Sequence, residues 1–389
     1  MRRLAGLLAL VLLAGCGMFG GGHSNLAPPT PLKPLKPALK VTRVWSHQSG
    51  NGTGGYHLIL RPALWRGTVY VASADGVVAA YRATSGKKVW RTHLARHVTG
   101  GVGAGHGLVV VGSRRGWVVA LNARDGKPVW QAQAPSGVLA APVVGPHGVY
   151  VATLDGHVTA LGLAHGRRLW VVSHTEPALK LDLVARPTWA RHVLYEGYAD
   201  GDVVALRARD GRRLWTSPIV RPRGGDPVER LVDVGHPISA QGLVYADSYH
   251  GNVVALAARS GRILWSHPGS SYRNMALGGQ SLYVVTAHSR VVALANASGA
   301  RQWRQKALLN RRLGDPALAG PAVVVGDYAG YTQWLSRRTG RLLARKRVSE
   351  GAVRAAPLVA SPSGHGTPEV FVLSTTGRLT ALRFRPRSR

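Results

Sequence analysis

The 389-residue sequence contains one cysteine, three phenylalanines, three methionines and 17 acidic residues. A single thiol excludes an internal disulfide framework, a cysteine-rich zinc module and a vicinal-disulfide redox centre. No apolar run after the first 15 residues reaches the roughly 18 residues needed to span a bilayer as a helix. Short paired histidine spacings, a G-x-S-x-G elbow, a Walker loop and an H-E-x-x-H sequence are all missing, which removes the common metal, hydrolase and nucleotide signatures. Acids are outnumbered by 50 lysines and arginines, for a formal net charge of +33. Such an excess suits anionic surroundings. With so few carboxylates to protonate, the usual route to acid unfolding is thin, so the fold is expected to persist at low pH.

The N-terminus reads as an export signal. Met1-Arg2-Arg3 is basic, residues 4–13 are apolar, and Leu13-Ala14-Gly15-Cys16 places small residues before the only cysteine. That tetrapeptide resembles a bacterial lipobox, which implies a signal peptide over 1–15 and lipidation of Cys16; Gly17 in place of aspartate favours the outer membrane. Residues 16–40 are glycine-rich and then proline- and lysine-rich, the composition of an extended tether. The folded body is expected over 41–389, and export argues against a nucleic-acid partner.

A repeat organises that body. A glycine and a tryptophan four residues later recur at Gly86/Trp90, Gly126/Trp130, Gly166/Trp170, Gly211/Trp215, Gly261/Trp265 and Gly299/Trp303. A further copy keeps Gly330 and Gly340 but has Ala344 at the tryptophan position. Between the glycines lie β-branched stretches such as Val253-Val254-Ala255-Leu256, and Asp210-Gly211 and Ser260-Gly261 have turn chemistry. Each unit is therefore a four-stranded meander, and stacked meanders make a propeller. Seven complete units precede a last one that ends before its outer strand, while residues 41–45 form an outer strand with Trp45 and no blade of its own. The expected fold is all-β: an eight-bladed propeller of four-stranded blades, closed by the N-terminal strand completing the last blade. Trp45, Trp90, Trp130, Trp170, Trp215, Trp265 and Trp303 are expected between blades as core.

Length variation points to function. Successive tryptophans are 45, 40, 40, 45, 50 and 38 residues apart, so the excess lies between Trp170 and Trp265. Insertions on a rigid repeat scaffold map to loops on one face and commonly bind. Lipobox, tether, tryptophan blades and these insertions together resemble the BamB family, the propeller lipoproteins of the outer-membrane β-barrel assembly machinery, over the whole mature chain. Residues 52–56, Pro62-Ala63-Leu64, 177–188, Arg230-Leu231-Val232-Asp233 and 325–334 carry the likeness beyond the generic repeat, which quinoprotein dehydrogenases share.

The resemblance implies a non-enzymatic scaffold without cofactor or metal, lipid-anchored on the periplasmic face of the outer membrane. It would dock on the POTRA domains of BamA, join the rest of the assembly complex and assist the insertion of β-barrel proteins. By position it implies partner contacts at Leu179, Leu181, Asp182, Arg230, Leu231 and Asp233. Asp182 stands where the family has arginine, and Gly235 where it has a second aspartate. A periplasmic quinoprotein-type dehydrogenase and a polyanion- or glycan-binding propeller are the rival readings, and contact of the basic body with anionic lipid is an added expectation.

Overall fold

A computed structural model describes residues 27–181, 184–361 and 368–387. Eight four-stranded antiparallel sheets make an eight-bladed propeller. Blades 1 to 7 span 63–93, 100–133, 143–173, 188–218, 238–268, 276–305 and 317–347, and blade 8 joins Leu358–Ala360, Glu369–Leu373 and Arg378–Pro386 to the N-terminal strand Leu39–Gln48. That strand pairs antiparallel with Arg378–Pro386 from Leu39↔Pro386 to Gln48↔Arg378. Closure by the N-terminal strand, as the repeat count required, leaves no blade with an open seam edge in the ring.

The burial pattern explains the composition of the strands. Second strands such as Thr68–Ala72 and Leu108–Gly112 are buried at every residue, because neighbouring blades cover both of their faces. Hence they read as continuous Val, Tyr and Ala instead of alternating. Outer strands such as Pro128–Gln133 alternate, with only the tryptophan buried deeply.

Seven tryptophans make one repeated contact. Each indole N–H donates to a backbone carbonyl of the next blade: Trp45 to Ala83 (3.0 Å), Trp90 to Ala123 (3.0 Å), Trp130 to Leu163 (2.7 Å) and Trp170 to Ala208 (3.1 Å). Trp215, Trp265 and Trp303 do the same to Ala258, Asn296 and Arg337 at 2.8 to 3.0 Å. The ring lies flat on the turn glycine of that next blade. At Gly261, φ is +72° and a Cβ would lie 2.6 Å from the Trp215 ring, so both conformation and space demand glycine. The motif thus spans two blades: a glycine and the tryptophan four residues later belong to different contacts.

Blade 7 to blade 8 is the exception. Ala344 pairs with Trp334 where the other blades pair their outer tryptophan with alanine, as in Ala205↔Trp215. Blade 8 has no hairpin between its third and fourth strands, since these are the two ends of the chain. With no turn glycine to cover, a tryptophan at 344 would have no seat. Trp334, fully buried and 5.1 Å from the Phe384 ring, fills the seam from the inner side instead.

Residues preceding the N-terminal strand are also seated. Thr30 N–H donates to Leu309 O (3.0 Å), Ala38 N–H to Leu343 O (2.7 Å), and Leu32 packs on the blade 6–7 core. The buried Arg311 donates through Nη2 to Asp327 (2.8 Å) and through Nη1 to Thr30 O (3.1 Å), while Arg345 holds Lys33 O (3.2 Å). The expected tether over 16–40 is therefore hydrogen-bonded to blades 6 and 7 from Pro28 onward.

Replacing Trp215 with alanine should cost about 3–5 kcal/mol in urea unfolding. Gly261→Ala should also destabilise, and the double variant should be less destabilised than the sum, because the alanine methyl then meets no indole. Additivity would show that ring and glycine do not form one contact.

Candidate functional site

The long insertions are the connectors from blade 3 to 4 and from blade 4 to 5. Both leave an outer strand and return to the next inner strand, so they share a face with the turns between second and third strands. Leu179 is 48% exposed on the first connector. Leu181 is half-buried, and its N–H donates to Asp233 Oδ1 of the second connector at 3.1 Å. Asp233 itself is only 5% exposed, so its carboxylate clasps the two loops together and does not face outward. Arg230 is exposed and Leu231 half-buried.

The second connector is shaped by its own side chains. Asp226 Oδ1 accepts the N–H groups of Val228 (2.8 Å) and Glu229 (2.9 Å), and Glu229 reaches back to the Gly225 N–H (2.8 Å). This is the logic of a helix cap applied to a single turn. It presents Val228, 61% exposed, beside the implied contacts. Sequence reading missed Val228, although an apolar residue inside Asp-Pro-Val-Glu, where Asp226 is a capping type, was the available signal. Asp182 and Cys16 lie outside the described residues. At Gly235, where the resemblance implies an aspartate, a Cβ would sit 2.3 Å from Asp247 Oδ1, so a side chain there would require the Asp247 carboxylate to shift.

Behind the clasp lies an acidic cluster. Glu176 accepts the Ala199 N–H (3.2 Å) and pairs with Lys180 (3.5 Å), whose ammonium also donates to Leu154 O. Glu196 is 2% exposed and, with Glu176 and Asp233, lines a small enclosed space at the blade 3–4 junction. Burial pushes all three carboxyls up: Glu176 above its ordinary value, Glu196 well above it with help from Glu176, and Asp233 to about 6. His174 Nε2 bonds Asp200 Oδ2 at 2.6 Å, and that bond raises its pKa. Among the described residues, His174, Asp200 and Asp202 are the one trio with donor atoms close enough for a metal, within 4.8 Å. A turn at 200–202 accounts for the aspartates: Gly201 has φ +94°, and the Asp202 N–H donates to Asp200 Oδ1 (3.1 Å). The cluster was hidden because its members come from three segments, although five acids in 27 residues of so basic a chain was a signal.

Where connectors converge near the axis, Arg61 and Arg186 line a small space. Connectors from four different junctions contribute His57, Arg61, Leu139, Arg186 and Asn274 to its wall. Burial, then Arg61, depresses Arg186 to about 10, and burial with Arg186 and Arg61 pushes His236 down to about 3. Arg61 approaches Asp315 at 3.6 Å.

Comparison with known proteins supplies the family. A profile described as "Outer membrane protein assembly factor BamB" matches residues 74–305 and 287–384. The chain is 38% identical to outer membrane protein assembly factor BamB of Pseudomonas aeruginosa over 383 residues, 98% of each chain. It is 33% identical to that of Escherichia coli over 92% of this chain and 94% of the relative. The crystal structure of BamB from Moraxella catarrhalis superposes with TM-score 0.80 at 24% identity, covering 88% of this chain and 100% of that one. A quinohemoprotein alcohol dehydrogenase from Comamonas testosteroni gives 0.71 at 14% identity, covering 90% and 77%, which is a likeness of fold alone.

The raised carboxyl of Asp233 makes a signed prediction. A folded-state pKa of about 6 against an ordinary 3.8 stabilises the fold below about pH 4, and this contribution is lost as pH rises through about 6. His236, depressed from 6.5, acts oppositely, losing stability as pH falls toward about 3. Asp233→Asn keeps the acceptor for Leu181 and removes the charge, so at pH 7.5 it should stabilise by about 2 kcal/mol and reduce the gain seen on acidification from pH 6 to 4. Urea titrations across pH check this; an unchanged pH dependence would contradict it.

Proposed function

The chain belongs to the BamB family of outer membrane protein assembly factors, and on that basis we propose that it is a non-enzymatic scaffold docking on the periplasmic POTRA domains of BamA. Leu179 and Val228, exposed large apolar side chains on two clasped connectors, carry this reading. Leu181, Arg230 and Leu231 surround them, Asp182 belongs to the same connector, and Asp233 acts by fixing one loop against the other. Two apolar anchors on self-braced loops bind at low entropic cost, because the loops are ordered before the partner arrives.

Docking of this kind needs no catalytic group. The body would align BamA for incoming barrel proteins while an acylated Cys16 keeps it on the periplasmic face of the outer membrane. A strongly basic body in that position also meets anionic lipid.

Calorimetry of the mature chain with the POTRA region of BamA from the same organism tests the site. The Leu179→Ala/Leu181→Ala variant should bind at least about tenfold more weakly, as expected for losing a buried anchor worth about 2 kcal/mol. Undiminished affinity would overturn the assignment of these loops, and no binding by the folded wild type would overturn the scaffold reading.

A further inference from the structure

Outside the buried Trp334, where blade 8 has no turn, the blade 7–8 seam carries an open groove of about 600 Å³. Its floor includes Leu39, Val41 and Ala344, which elsewhere in the ring would be covered by an indole and a turn. Lys40, Arg345, Lys346, Arg385 and Arg387 line it, and no carboxylate does. These cations come from three separate strands or strand ends, so the fold converges them. Burial, and then the neighbouring Arg311, lower Arg345, with Asp327 acting in the opposite direction. Asp327, the nearest acid in this network, is fully committed: it accepts from Arg311, Gln333 and the turn N–H groups of Ala329 and Tyr331.

The groove adjoins the N-terminal segment, since Pro37 forms part of its wall. That segment is fixed to the blade 6–7 connector at Thr30 and along the outer strand of blade 7 at Lys33 and Ala38. Eleven residues separate Cys16 from Pro28, a reach of about 40 Å at most. Charge is also distributed unevenly around the ring. Residues 27–48 and 306–387 hold 18 lysines and arginines against four acids, whereas 143–273, which includes the docking connectors, holds 15 against 11. The side joined to the N-terminal segment is therefore more cationic than the side that carries the docking connectors.

We propose that the blade 7–8 groove is a headgroup site for an anionic phospholipid of the membrane to which the N-terminal segment leads. An apolar floor under a ring of cations suits a phosphate with the glycerol and first methylenes below it, and flexible lysine and arginine stems adapt to such a group. Occupancy would hold blades 7 and 8 toward the bilayer, with blades 3 to 5 on the far side of the ring. The inference rests on the membrane-tethered reading above, and adds to it a particular site.

The test uses the chain carrying Cys16→Ser, so that acyl chains do not hold it, in sedimentation with vesicles of phosphatidylcholine with or without about 30 mol% phosphatidylglycerol. Binding should require phosphatidylglycerol and fall about tenfold or more in Lys346→Glu/Arg385→Glu, while Arg167→Glu/Arg212→Glu, equal in charge but on blades 3 and 4, changes it less than about twofold. Matching melting curves exclude unfolding of the variants. Equal weakening by both pairs would overturn the groove and leave only diffuse attraction by the basic body. Failure of the wild type to bind would overturn the groove and the general lipid contact together. Displacement from vesicles by inorganic phosphate at micromolar concentration would overturn the lipid assignment in favour of a free phosphate site.

Discussion

The indole seated on the next blade's turn glycine is the contact on which this molecule depends. It couples a hydrogen bond to a carbonyl, a flat apolar face and a backbone conformation that only glycine adopts comfortably. Because ring and glycine sit in adjacent repeats, each blade is incomplete alone. Stability therefore accrues at the seams, and the order of blades is locked around the ring. Tyrosines of the second strands reinforce it: Tyr70 and Trp90 donate to the same carbonyl of Ala123.

Where that constraint relaxes, the chain becomes individual. Strands and the turns under the indoles cannot change length without unseating a tryptophan, so insertions collect in the connectors between blades. The two longest connectors became a braced pair through Asp233, and they carry the exposed Leu179 and Val228. At the one seam where chain ends meet, no turn exists for an indole to cover, and the space is lined by cations instead. Docking loops and cationic groove thus arise from the same rule, one as its permitted variation and the other as its single exception.

Much of the fold was legible because the repeat is physical. Glycine and tryptophan at a fixed spacing encode the seam, and the unpaired strand around Trp45 encodes closure. Ala344 stands in the sequence as a copy without its tryptophan, and only the chain-end geometry of blade 8 shows why none belongs there. The docking connectors were legible as excess length, while the role of Asp233 was not, since an acid in a loop reads as exposed until the other loop is seen to cover it. Gly235 is similar: that it lies against the Asp247 carboxylate emerges only from the packing. Asp200 and Asp202 belong to a repeat turn, whereas their meeting with His174 depends on how blades 3 and 4 pack.

Hydrogen exchange of the chain with and without BamA tests the central claim most directly, because it reports where the partner lies without altering any residue. The account predicts protection concentrated in 177–187 and 226–233, with the outer strands of blades 7 and 8 unchanged. Protection centred on blades 7 and 8, or none anywhere in a complex that forms, would contradict it.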